Sequence, residues 1–320
     1  MTSKYPQIDI DKVTTIPISR RQNKVNPSHF ARVPERDFSI DHFIDCLPSQ
    51  LAATDFRSLL KHIHQAKSKH KPIIWMMGAH VIKVGLSRLI IKLMQRGFVT
   101  ALAMNGAGAI HDAELATGSG TSEDVEKNLA DGTFGMARET GRFLNNAATV
   151  ARDLKLGFGE SVGRELCKLA KTTTHVSLFA NAYRLDIPAT LHVAIGTDII
   201  HQQPTADGAA LGDASYRDFK IFAQVVSGLG NGGVVLNIGS NVLLPEVFLK
   251  ALTVARNVGG SVSDFTTANF DMIQHYRPRV NVVQRPIKTG GQGYNFIGHH
   301  ELMIPLLTWS LLGKQTSEPE

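Results

Sequence analysis

Six short apolar runs in this chain end in small residues mixed with groups that titrate or hydrogen-bond strongly. The first ends in Gly78-Ala79-His80. The second ends in Asn105-Gly106-Ala107-Gly108-Ala109, with His111 and Asp112 close behind. The third ends in Gly196-Thr197-Asp198, and His201 follows. The fourth carries Asn237, Gly239, Ser240 and Asn241. The fifth is Thr266-Thr267-Ala268-Asn269-Phe270-Asp271, and the sixth precedes Gly298-His299-His300-Glu301. Small residues after a strand let a backbone approach a phosphate or ribose closely, and an Asp there accepts hydrogen bonds from ribose hydroxyls. The chemistry suggested is that of a nucleotide site. NGAGA does not meet the GxGxxG spacing, however, and a tight turn explains it equally well. Asp198 and Asp271 also suit helix N-caps. His111-x-x-Glu114 and His299-His300-Glu301 contain metal-ligand types. Adjacent His residues point to different faces, and no HExxH or Cys-rich set accompanies them, so no metal is expected. There is no G-x-S-x-G elbow and no Walker A motif.

Those residues need elements to position them. PIIWMMGAH (72–80), FVTALAMNGAGA (98–109), IPATLHVAIGTD (187–198), GGVVLNIGS (232–240), SDFTTANFD (263–271) and NVVQRP (281–286) read as strands. Helical spacing of apolar residues marks 40–69, 85–97, 137–154, 160–171, 177–186, 216–229, 245–259 and the closing LMIPLLTWSLL. Thr121 reads as a helix N-cap with Asp124 as its acidic partner, and TGGQG (289–293) as a glycine-rich loop. Strands that are apolar throughout, alternating with helices, require a parallel sheet covered on both faces. The expected fold is α/β, a doubly wound, mostly parallel Rossmann-like sheet with helices on both faces. Residues 1–36 read as an extended arm, 37–314 as a single α/β nucleotide-binding-type domain and 315–320 as a polar tail.

Composition excludes several classes. The chain has 320 residues, 43% hydrophobic and 19% charged, so a sizeable core is available and general disorder is not. A net charge of +6 without a concentrated basic stripe, and only 7% aromatics, argue against nucleic acid as a partner. Two cysteines make no disulfide framework. No apolar leader and no run of 18 apolar residues occurs, so a cytoplasmic protein without a membrane partner is expected.

In this order, the strand-end motifs resemble those of deoxyhypusine synthase and its relatives. The anchors are ALAMNGAGAIHDAE, VSLFANAYRLDIPATLHVAIGTD, NGGVVLNIGSN, TTANFD and GHHELMIPLL, spread from about residue 72 to 312. The resemblance implies NAD as cofactor and a homo-oligomer, dimer or tetramer, with sites near subunit interfaces. Carried over, the cofactor positions are Gly106, Ala107, Gly108, Asp112, Asp198, Gly232, Thr266, Thr267, Asp271 and His299.

The departures are as informative as the matches. Where the family has acids after an Arg-Pro step, Arg277-Pro278 is followed by Arg279 and Val280. The family's Trp position reads Gln284, and its imine-forming lysine position reads Pro286, with Lys288 two residues on. Transfer of an aminobutyl group from spermidine needs that lysine amine, so it is not expected. The polar groups beyond the cofactor set, Lys288, His299, His300 and His201, are candidate catalytic residues. His275, Arg277 and Arg285 are candidate substrate contacts whose sign favours a small anionic or neutral molecule. The expectation is a family-like NAD-binding enzyme of altered specificity. The alternatives are a non-catalytic nucleotide or ligand binder, and a metal-dependent hydrolase using strand-end His and Asp residues.

Overall fold

A computed structural model describes residues 3–34, 37–118, 120–169 and 174–313, so the expected tail at 315–320 lies outside the described residues. Six strands form one sheet: β1 Ile73–Met77, β2 Ala101–Asn105, β3 Ala189–His192, β4 Val234–Ile238, β5 Phe265–Asp271 and β6 Gly291–Ile297. The order is β3-β2-β1-β4-β5-β6 and every pairing is parallel. Parallel strands need crossovers, and helices supply most of them.

Alternate residues along each strand feed opposite faces. Trp75, Met77, Leu102, Met104, Leu236 and Ile238 join one core with the helices Leu51–Ser68, Ser87–Gln95 and His300–Gly313. Ile74, Met76, Ala101, Ala103 and Val235 join a second core, closed by Phe222 and Val226 of helix Gly208–Ser227 and by Phe248 and Leu252 of helix Leu243–Asn257. Burial on both sides explains why the strands are apolar without alternation.

Trp75 anchors the first core. It is fully buried, and its indole N–H donates to the Phe98 carbonyl at 3.1 Å. Trp75→Phe keeps an aromatic ring but removes that bond and some volume. A loss of ~1–3 kcal/mol is expected from urea denaturation. An unchanged midpoint would exclude this anchoring role.

Three expectations need correction. Residues 281–286 are not a strand: Pro278–Gln284 forms a π-helix and Pro286–Thr289 a 3-10 turn. A short apolar run such as NVV does not distinguish a strand from a buried helical turn. The sixth strand instead starts inside the glycine-rich stretch, with Gly290 and Gly291 at φ 108° and 103° turning the chain onto the sheet edge. The helix Val125–Asp131 is capped by Asp124, which accepts from the Lys127 N–H, and not by Thr121.

Residues 3–34 run as an extended arm with three single turns. It is tied down near its end, where Arg32 N–H donates to the Cys46 carbonyl and Ser49 N–H to the His29 carbonyl. Ile8, Ile10, Ile18 and Val33 on this arm are largely exposed. No described helix is long and apolar enough to cross a membrane.

Candidate functional site

The chain runs β1, β2, β3 outward in one direction and then returns to place β4 on the other side of β1. This reversal is a topological switch point, where ligands of open α/β sheets bind at the carboxyl edge. Here Gly78 N–H donates to the Ile238 carbonyl at 2.9 Å. A Cβ on Gly78 would lie 2.1 Å from the Gly239 carbonyl oxygen, so only glycine permits the approach.

His300 closes the crevice from above. Its Nε2 lies 3.1 Å from the Phe270 carbonyl, which only accepts, so Nε2 carries the proton. Its Nδ1 is then an acceptor, buried and without a partner among the described residues. The ring lies on bare Gly239, where a Cβ would come within 2.6 Å, and its centroid is 5.5 Å from that of His80.

Further unpaired polar atoms follow the same edge. Asn237, Asn269 and Asn295 sit in register on β4, β5 and β6 and form a ladder, with amide bonds of 2.8 and 3.0 Å. Asn237 Oδ1, Asn241 Oδ1 and Asp271 Oδ2 are buried without partners among the described residues. Asp271 uses its other oxygen to accept from the Met272 N–H.

Beyond β3, Asp198 lies on the bare face of Gly106, where a Cβ would be 1.9 Å from Oδ2. Burial pushes its carboxyl up to about 6, opposed by a bond from the Ala107 N–H. His201 Nδ1 accepts from the Gly196 and Asp198 N–H groups at 3.1 and 3.2 Å. Its Nε2 therefore bears the proton and sits 3.9 Å from Asp198 Oδ2, both atoms otherwise unpaired among the described residues. Burial holds the His201 imidazole below its ordinary value.

A cavity of about 670 Å³ opens between helices Gly106–Ala116 and Arg138–Leu154 and the turn at Thr197–Ile199. Ala107 and Asp198 line it, together with Lys83, His111, Glu114 and Thr121. His111 Nδ1 is 2.5 Å from Thr121 Oγ1, the Thr121 hydroxyl donates to Glu114 Oε2, and Thr140 donates to Glu114 Oε1 at 3.0 Å. The sequence does not reveal this chain. His111 and Glu114 are visible as one helix face, but Thr121 and Thr140 join them only in space.

The expected site residues divide sharply. Ala107, Asp198, Asp271, His201, His299 and His300 lie at the carboxyl edge, with His299 exposed and 3.8 Å from Glu301. Gly232 precedes β4, and Thr266 and Thr267 lie in the first half of β5, which places all three toward the opposite edge, roughly 13–20 Å away along the strand. Lys288 and Arg285 precede β6 and share that far edge. The π-helix carries the chain from one edge to the other, so proximity in sequence to Arg277 misleads.

Arg277 itself pairs with Glu246 at 3.2 Å, and His275 is half-buried beside it. The expected cationic substrate pocket is therefore dispersed. Asp112 is turned inward, accepting from Ser177 Oγ, Leu178 N and Phe179 N, with no oxygen directed to the crevice. Gly108 faces the Met104 side chain, so it serves packing.

No family model matches the chain, and no curated protein matches it. Solved structures do. Unliganded AgrE shares 14% identity over 82% of this chain and 33% of its own, at a TM-score of 0.53. A LOR/SDH-like protein from Methanococcus maripaludis S2 shares 14% over 82% of this chain and 70% of its own, at 0.51. A candidate deoxyhypusine synthase from Entamoeba histolytica shares 9% over 88% of this chain and 97% of its own, at 0.50. The chain spans about a third of the length of AgrE and of ArgZ, a cyanobacterial arginine dihydrolase. At these identities the likeness establishes the Rossmann-like fold.

Proposed function

We propose that this protein is an NAD-binding enzyme whose cofactor lies along the carboxyl edge of the sheet. The observation that carries the reading is the row of six unpaired buried atoms there: Asp198 Oδ2, His201 Nε2, Asn237 Oδ1, Asn241 Oδ1, Asp271 Oδ2 and His300 Nδ1. Buried polar atoms without partners are costly, and such a row at a switch point is the mark of a ligand edge. Among similar structures, AgrE has been solved with ornithine and NAD+, which supports the choice of nucleotide.

Asp271 and Asp198 are placed to accept from ribose hydroxyls, and His300 and Asn241 to meet the remaining polar groups. NAD would supply a two-electron acceptor at this edge. The chain's own residues would orient it and hold protons beside it. Lys288 lies at the far edge, so it is not assigned to this site, and aminobutyl transfer through a lysine imine is not proposed.

The dispersal of Arg277, Arg285 and Lys288 removes the reason to expect an anionic substrate, and a small neutral one is favoured. A metal-dependent hydrolase would need a clustered donor set. Among the described residues no group of three or more His, Cys, Asp or Glu could hold a metal ion. The exposed apolar side chains of the arm favour a homo-oligomer.

The test is calorimetric titration with NAD and NADH. Binding is expected, and Asp271→Ala should weaken it by ~1–3 kcal/mol through loss of a buried charge-assisted bond. No heat with either nucleotide at millimolar concentration would falsify the cofactor reading.

A further inference from the structure

The cavity beside the Gly106–Ala116 helix contains a preset imidazole. Thr121 has one hydroxyl proton, and it is donated to Glu114 Oε2. Its oxygen must therefore accept from His111, which places the imidazole proton on Nδ1. His111 Nε2 is left as a lone-pair acceptor with no hydrogen-bond partner among the described residues. A carboxylate that fixes the tautomer of a histidine through its far nitrogen is the arrangement that prepares a general base. Here a threonine hydroxyl relays the effect, and Thr140 locks the carboxylate from its other side.

We propose that this cavity is a substrate pocket and that His111 is its catalytic base, taking the proton of a hydroxyl group on a small neutral molecule. The substrate is a secondary alcohol or polyol. The proposal rests on the cofactor reading above and deepens it. An oxidised nicotinamide, when bound, would supply the acceptor for the hydrogen and electron pair of the substrate C–H bond that breaks. The O–H proton passes to His111 Nε2, and a C=O bond forms.

The walls favour an uncharged ligand. Glu114 is engaged by two threonine hydroxyls, and Glu123 by Gly135 N–H and Asn128 Nδ2. Asp198 has its carboxyl pushed up to about 6. Lys83 and Glu139 complete the charged lining. Ala107 and Asp198 belong both to this cavity and to the carboxyl edge, so a substrate here adjoins the proposed cofactor. The imidazole is held below its ordinary value of 6.5 by burial, against Glu114 and with Lys83, so it is neutral at pH 7.

The experiment combines three readouts on the full chain. Nitrogen-15 NMR of labelled histidine should show His111 neutral and protonated on Nδ1, the minor form in water. Thr121→Val should shift it toward Nε2 protonation. NAD reduction is then followed with a panel of secondary alcohols and polyols, and NAD affinity is measured by calorimetry on each variant. His111→Asn should lower turnover ~10²–10⁴-fold while leaving NAD affinity intact. Thr121→Val should lower it ~10-fold, with the acid limb of kcat/KM displaced.

An Nε2–H tautomer in the wild type overturns the proposal. So does NAD binding without reduction by any hydroxyl compound, turnover of amines alone, or full activity in His111→Asn. Absence of NAD binding, seen directly by calorimetry, overturns the cofactor reading and the dehydrogenation with it.

Discussion

Asp112→Ala is expected to destabilise the protein by ~3–5 kcal/mol, because three buried donors lose their acceptor together. The carboxylate accepts from Leu178 N at 2.7 Å, Phe179 N at 3.2 Å and Ser177 Oγ at 2.6 Å. Those groups form the amino end of helix Leu178–Arg184, whose unpaired N–H groups and dipole favour a negative partner. Leu178 and Phe179 are fully buried, so water cannot replace the lost bonds. Asp112→Asn retains one acceptor oxygen and should cost less. Chemical denaturation measures both. The same residue occupies a cofactor position in the family resemblance, so calorimetry on the Asn variant discriminates the two roles. Wild-type NAD affinity with reduced stability is the expected pairing, and lost affinity at full stability would restore the cofactor role.

Asp218→Asn is expected to abolish a large part of the pH dependence of stability. Asp218 is buried within helix Gly208–Ser227, and its Oδ2 accepts from Gly159 N at 2.8 Å and Leu191 N at 2.7 Å. It therefore ties a neighbouring helix and β3 to its own helix. Its Oδ1 has no hydrogen-bond partner among the described residues and lies where a Cβ on Gly157 would come within 2.0 Å. Burial pushes the carboxyl up to about 8 from an ordinary 3.8.

A raised folded-state value means the folded protein binds the proton more tightly than the unfolded chain. The contribution is complete below about pH 4 and is lost as pH rises through about 8. At about 1.4 kcal/mol per unit, the swing is on the order of 5 kcal/mol. An asparagine oxygen can take both N–H donors, with its uncharged amide nitrogen in the place of Oδ1. The variant should match wild type near pH 4 and exceed it at pH 9 in urea midpoint. Parallel profiles for the two proteins would remove Asp218 as the source.

Alternating apolar strands and helices led to the fold, and the resemblance to deoxyhypusine synthases to residues that the structure divides between the two edges of the sheet. Asp271 ends β5, and His300 and Asp198 lie in the turns that follow β6 and β3, so all three are found at the carboxyl edge. Gly232, Thr266 and Lys288 lie toward the other edge for one reason: a residue at the start of a strand lies most of a strand length from one at its end. The π-helix at Pro278–Gln284 hid this, since a run read as a strand put Arg285 and Lys288 at the wrong end. His80, Asn237 and Asn269 were visible as strand-end residues without an assigned role, and Asn295 was not singled out. Each is an ordinary residue in its own segment and gains meaning only beside partners from other strands.

By itself the sequence determined the layered architecture. Strands apolar on both faces can be satisfied only inside a sheet covered twice, and a parallel sheet requires crossovers of the lengths seen. It also determined which chemistry gathers at strand ends, because turn residues and polar groups cluster where apolar runs stop. Tertiary structure alone decided which of those groups face a ligand. Asp112 and Asp198 follow similar turns, yet the amino end of another helix occupies one carboxylate, while the other retains an unpaired oxygen. The tautomer of His111 was likewise decided in space. It depends on Thr121 and Glu114 meeting across a loop, and hydrogen-bond direction, unlike hydrophobic periodicity, leaves no trace in residue spacing.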